Sequence, residues 1–177
     1  MSGATDVLRL HIGGETPKPG WKIFNIQPGP HVDFVGNCAD LSQFASGTVE
    51  AIYASHVLEH LGYLDELPQA VKEFRRVLRN DGRLQVSVPD LEALCRLFLD
   101  PRLDSSTRFH VMRIMFGGQA DPHDFHKAGL TEEFLTDYLT VAGFRNIERV
   151  AGFALFDDIS GLALGGVPVS VNLQAVK

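Results

Sequence analysis

The sequence predicts an α/β fold: a mostly parallel sheet with helices packed on it and an antiparallel pair at its end. Three observations predict it. Thr48 to Leu61, T-V-E-A-I-Y-A-S-H-V-L-E-H-L, opens as a β-branched and aromatic run from Val49 to Tyr53, then turns small and polar at Ala54, Ser55 and His56. A buried parallel strand that ends at a functional rim reads this way. Strand-like and helix-like runs then alternate through the middle of the chain, as parallel crossover units do. The final run sets Val169, Val171, Leu173 and Ala175 against Ser170, Asn172 and Gln174, and no helix separates it from the strand before, which makes the two antiparallel neighbours. Ligands of open α/β sheets sit outside the carboxyl ends of the strands. Ser55, His56, Glu59 and His60 therefore stand where chemistry is expected.

Taken in order, Val7 to Ile12 alternates around Leu8, Leu10 and Ile12 and predicts a first strand, with Gly13 and Gly14 directly after it. Glycine there permits positive φ and the close approach of a ligand, and equally a plain tight turn. Glu15 to Gly20 holds two prolines and makes no proper helix. Trp21 to Ile26 predicts a second strand ending at Gln27, and His31 to Val35 a third, leading to Asp40 and Leu41. Parallel strands need roughly a dozen residues for a helical crossover, so these early connections are trimmed or joined by tight loops. Leu64 to Leu78 is an amphipathic helix on Leu64, Leu67, Val71, Phe74 and Leu78, with acids in its first turn and arginines in its last. Asn80-Asp81-Gly82 stops it. Leu84, Val86 and Val88 make a strand ending at Pro89-Asp90, and Asp90 caps a helix from Leu91 to Leu99 that Pro101 terminates. A further helix from about Ser106 to Phe116 ends at Gly117-Gly118. A polar loop, Gln119 to Gly129, carries His123, Asp124, His126 and Lys127. Thr131 caps a helix that Gly143 ends, and Phe144 to Leu155 is a strand. Asp157 to Gly166 is a loop, and Val167 to Val176 the last strand.

A chain of 177 residues suffices for a single domain with a real core. Its net charge of −6 argues against nucleic-acid binding, since a phosphate backbone requires a basic face. No apolar run reaches the length of a membrane span, and the first residues do not read as a signal peptide. Cys38 and Cys95 lack metal-type spacing and fit two packed thiols in a reducing compartment. A cytoplasmic protein with neither membrane nor nucleic-acid partner is expected. The exposed edge of a trimmed sheet could pair two copies of the chain into a homodimer.

Several stretches together resemble a known family. Leu10-His11-Ile12-Gly13-Gly14 is similar to a shortened first glycine motif, and Pro19-Gly20-Trp21 to Gln27 to a "P-G-W-x-N-V-D" stretch. Ala51 to Leu61 resembles "I-Y-A-S-H-V-L-E-H", and Phe74 to Val88 resembles "R-V-L-K-P-G-G-R-L-x-I-x-V-P". Phe125 to Phe144 and Gly166 to Val176 are similar to the "F-H-K-x-G-F" and "G-x-P-I-S-L-N" stretches of the same proteins, the small S-adenosylmethionine-dependent methyltransferases of class I. The resemblance covers nearly the whole chain in order. It implies a Rossmann-like methyltransferase sheet trimmed in its first crossover helices, S-adenosylmethionine as cofactor, and a small-molecule, sugar-related acceptor. It also implies cofactor-binding roles for Gly13, Gly14, Gln27, Asp40, Leu41, Ser55, His56 and Glu59. The sequence departs from the family's D/E-x-G-x-G-x-G loop, keeping only His11, Gly13 and Gly14, and has Gln27 where an acid usually holds the ribose hydroxyls.

Methyl transfer asks the protein to align an acceptor and, for a hydroxyl, to remove its proton. His56 is the candidate base, its unperturbed pKa lying near neutrality. His123 and His126 are reserves, and with Asp90 they are the candidate acceptor-binding residues. Asp90 reads equally as a helix cap and Asp40 as a turn former. A non-catalytic methyltransferase-fold binding module is the alternative. A weaker alternative is a zinc hydrolase, because His56, Glu59 and His60 spell H-x-x-E-H and would share a helix face. No metal site is expected: His123-x-x-His126 is a half-site without a carboxylate or thiol at clear spacing, and reads more simply as a loop tether.

Overall fold

A computed structural model describes residues 7–177. The reading of the opening residues as no signal peptide falls largely outside this range. The strands are β1 (Leu8–Ile12), β2 (Lys22–Asn25), β3 (Phe34–Val35), β4 (Val49–Ser55), β5 (Leu78–Pro89), β6 (Arg145–Arg149), β7 (Ala163–Leu164), β8 (Val167–Pro168) and β9 (Ser170–Val176). The helices are α1 (Glu66–Val77), α2 (Leu91–Leu99), α3 (Ser105–Phe116) and α4 (Glu132–Ala142). Seven strands form one sheet in the order β3-β2-β1-β4-β5-β9-β6, while β7 and β8 make a small separate hairpin. The first five strands pair parallel. β9 lies antiparallel between β5 and β6, which establishes the expected antiparallel pair.

The trimmed first half is as expected. Residues 13–21 and 26–33 return the chain between parallel strands without a helix. An extended loop gains about 3.3 Å per residue, so residues 13–21 outreach the five-residue β1. Helices cover the other half. α1 buries Leu67, Ala70, Val71, Phe74 and Val77, and α4 buries Leu135 and Leu139, against Ile52, Ala54, Leu84, Val86 and Leu173 of the sheet. Leu94 and Leu97 of α2 and Val111 of α3 form a second, smaller core with Val169.

Four boundaries differ from the sequence reading. β5 begins at Leu78, directly after α1, because Leu78 pairs with Val49 before the chain bulges and Arg83 pairs with Ala51. Asp81 takes a positive φ of 57° in that bulge, and Lys177 closes it by donating its backbone N–H to Gly82 O at 3.0 Å and its Nζ to Leu78 O at 2.6 Å. The third strand shrinks to Phe34–Val35, since Gly29 to Val32 is a turn. β6 stops at Arg149. The last predicted strand divides into β8 and β9, the first paired with β7.

The face of β1 and β4 opposite α1 has no crossover helix, and the segment after β6 covers it. The Phe156 ring lies 3.9 Å from that of His11, 4.9 Å from Tyr53 and 5.5 Å from Trp21. Phe153 meets Tyr53 edge-on, and the buried Tyr53 hydroxyl donates to Asp158 at 2.6 Å. His11, which stands where an acid is usual, is thus a core residue on the covered face. Burial pushes its pKa down to about 4, against the opposing pull of Asp158.

Candidate active site

The end of β4 builds the centre of the site. His56 continues the ladder by donating its backbone N–H to Ser87 O at 2.8 Å, but with φ at +54°. A non-glycine residue held in this region stores strain, of the kind that collects at functional sites. The chain then makes a single 3₁₀ turn, Leu58–His60, instead of the helix the sequence suggested. His56 and His60 therefore do not share a helix face, and the H-x-x-E-H reading loses the long helix it requires.

Imidazoles surround Glu59. His56 Nδ1 lies 3.3 Å from Glu59 Oε1, and His126 Nε2 lies 4.0 Å from the same atom. His60 stands edge-on to His126 with ring centres 4.7 Å apart. Glu59 is 1% exposed, and neither carboxylate oxygen has an aligned hydrogen-bond donor. Its backbone carbonyl accepts from Lys127 N at 2.8 Å and Ala128 N at 3.1 Å, which fixes the loop of residues 117–130 onto this turn. The other ring nitrogen of His56 lies 3.2 Å from Ser170 Oγ at the start of β9. Burial holds the His126 pKa below its ordinary value, although Glu59 pulls the other way. Ser55 Oγ and Ser87 Oγ are also buried without partners.

Two hollows meet at this cluster. A cleft of about 890 Å³ opens at the carboxyl ends of β1, β2 and β4, and a shallower hollow of about 390 Å³ lies between that cluster and α3. His56 and His60 line both. Of the sequence-predicted residues, Gly13, Gln27, His56 and His123 line the cleft, while Glu59 and His126 line the hollow. The remainder lie elsewhere. A Cβ at Gly13 would run into Val57 and one at Gly14 into the His11 ring, and Gly13 takes a φ of +73°, so packing requires glycine at both positions, Gly13 being at the cleft as well. Asp40 is exposed and accepts from Ser42 N at 3.0 Å, an Asx turn that holds its carboxyl below the usual range. Leu41 is in the core, with Arg76 donating to its carbonyl at 2.9 Å. Asp90 caps α2 through Ala93 N and takes a 3.2 Å bond from Arg149.

Sequence reasoning missed several lining groups. Asp121 enters the cleft from the loop of residues 117–130, near the Gln27 side chain. Its carboxyl is held low by the His123 backbone N–H, at 2.7 Å, and by Gln27. Asn25 and Asn37 add amides to the cleft, and His110 and Arg113 of α3 line the hollow. Only the polar composition of the 119–129 loop hinted at Asp121.

This topology is shared with solved proteins. A methyltransferase domain family matches residues 21–86, from just before β2 to within β5 and thus beyond the glycine turn. A S-adenosylmethionine-dependent methyltransferase from Archaeoglobus fulgidus aligns over 97% of this chain and 86% of its own, at 14% identity and a TM-score of 0.60. The YcgJ protein of Bacillus subtilis aligns over 97% and 92%, also at 14% identity, with a TM-score of 0.59. The CurJ carbon methyltransferase aligns over 96% of this chain and 48% of its own, at 16% identity and 0.57. No curated protein matches the sequence. The chain has the class I, Rossmann-like methyltransferase fold that its motifs implied. Within that fold, residues 21–86 are similar in sequence to the methyltransferase domain family.

Proposed function

We propose that the chain is a S-adenosylmethionine-dependent methyltransferase acting on a hydroxyl-bearing small molecule, a sugar or a sugar-linked metabolite. The observation that carries this reading is the meeting of the two hollows at His56. One hollow lies at the carboxyl rim of the parallel strands, where such sheets bind their ligands.

The residues of the cleft fit the cofactor. Its volume lies in the range of roughly 300–1,000 Å³ that small-molecule sites occupy. Gln27 and Asp121 together offer an amide and a carboxylate to ribose hydroxyls, replacing the acid missing at the end of β2. The cofactor, when bound, supplies an electrophilic methyl group. The protein's tasks are to orient the acceptor and move a proton. His56, between Glu59 and Ser170 at the junction of the two hollows, is the group placed to take the proton of an acceptor hydroxyl. Arg113 and His110 line the hollow where a polar acceptor would sit. The net charge of −6 supports a small acceptor over a nucleic acid.

Calorimetric titration with S-adenosylhomocysteine tests this directly. Saturable binding is expected, weakened about tenfold by Gln27→Ala, the worth of one hydrogen bond to a ribose hydroxyl, and unchanged by Asp40→Ala. No binding at millimolar ligand would overturn the enzyme reading in favour of a non-catalytic module.

A further inference from the structure

Glu59 presents a problem that methyl transfer does not solve. An ionised carboxylate taken out of water is costly unless paired and hydrogen-bonded. Glu59 is 1% exposed, and neither oxygen has an aligned donor. Among the described residues no lysine or arginine pairs with it; its charged-type neighbours are His56 and His126. One oxygen leaning toward His56 leaves most of the carboxylate's lone pairs unused.

The atoms around it answer this. One ligand atom each from Glu59, His60 and His126 lie within 4.8 Å of one another. His60 Nδ1 lies 3.3 Å from the Phe125 carbonyl. With its proton there, Nε2 holds the lone pair, the arrangement in which a backbone carbonyl orients a ligating histidine. His126 faces Glu59 through Nε2 at 4.0 Å. Ligands about 2.1 Å from a zinc ion stand roughly 3.4 Å apart in a tetrahedron, so a small side-chain rotation closes the set. His60 and Glu59 come from the turn after β4 and His126 from the 117–130 loop, and the two Glu59 carbonyl contacts hold those segments together.

We propose that Glu59, His60 and His126 bind a zinc-class divalent cation, with its open position toward the hollow lined by His110 and Arg113. Two imidazoles and one carboxylate suit zinc, and three protein ligands with one open position is the form of a reactive rather than a structural zinc site. The set differs from H-x-x-E-H, because His126 takes the place of His56 and no helix is involved. The site does not rest on cofactor binding and can stand or fall without it.

The test uses the full chain, stripped with a chelator and dialysed, then titrated with zinc and measured by elemental analysis and calorimetry in the absence of S-adenosylhomocysteine. One zinc per chain is expected. His126→Ala and His60→Ala should each weaken it at least about 100-fold, since even outer-shell partners of a metal site are worth 10–100-fold. His123→Ala should leave it unchanged. Cobalt(II) should give the intense visible bands of a four-coordinate site, and these should disappear in His60→Ala. Circular dichroism establishes that each variant folds, and the partly exposed His60 keeps the test available if a Glu59 variant does not. Absence of stoichiometric metal, or zinc affinity that survives both histidine substitutions, would overturn the proposal. The S-adenosylhomocysteine titration on zinc-free protein reads the methyltransferase proposal separately.

Discussion

On one side of β1 the strands β4, β5, β9 and β6 are covered by α1 and α4, and the helices bury unbroken apolar faces. On the other side β2 and β3 are joined by loops, and much of the cleft is lined by those loops. The difference separates two tasks. Regular crossovers build the core that defines the fold. Leaving them out of the other half opens the sheet's rim and obliges a distant segment, Phe153 to Asp158, to cover the bare face. Asp121 likewise reaches the cleft from late in the chain.

The contrast breaks most visibly if the two halves prove equally important to stability. Phe74 of α1 is fully buried in the main core. Phe74→Ala should cost about 3–5 kcal/mol, the range for truncating a core aromatic. Phe156→Ala removes a partly buried ring from the covered face and should cost roughly half as much. Urea unfolding of the two variants measures both. A larger loss at Phe156 would mean that the covering segment, not α1, holds the sheet together.

The same contrast marks what the sequence disclosed. α2 was legible to the residue, from Asp90 before it and Pro101 after it, and α4 from Thr131 and Gly143, because caps and breakers act locally. The mostly parallel sheet with its antiparallel last strand followed from the resemblance of motifs along the chain. The left-handed turn at His56 was not legible. It depends on β5 holding the His56 amide and on the 117–130 loop holding the carbonyl of Glu59, and neither contact is local. For the same reason the neighbours of Glu59 were only partly legible: the sequence offered His56 and His60, and the fold adds His126. Asp40 and Asp90 carried two readings each, and the local one describes both, a turn and a cap.

A second prediction sharpens the comparison on the trimmed side. His11 lies between Phe156 and Tyr53 with its Nδ1 unpartnered, and its pKa falls from an ordinary 6.5 to about 4. The folded state therefore resists the proton that the unfolded chain accepts. Above pH 6.5 the group is neutral in both states and no stability is lost. As pH falls from 6.5 toward 4, protonation favours unfolding by up to about 3 kcal/mol, at 1.36 kcal/mol per unit. His11→Leu should flatten this part of the pH–stability curve. An unchanged slope in the variant would place the acid sensitivity elsewhere.

The smallest expected effect tests the regular half through one of its ends. Asp65, Asp90, Asp104 and Thr131 each accept a backbone hydrogen bond at the start of α1 to α4, whereas the trimmed connections have no helix to cap. Thr131 Oγ1 accepts from Phe134 N at 3.2 Å, just after the loop that carries Asp121 and His126. Thr131→Ala should cost about 1 kcal/mol in urea unfolding. Affinity for S-adenosylhomocysteine should not change, because the 117–130 loop is also tied to the turn after β4 by two bonds to the Glu59 carbonyl. If that cap alone set the loop's position, affinity would fall together with stability. Stability falling alone would show that the site depends on the junction between Glu59 and the loop, and that α4 can fray at its start without disturbing it.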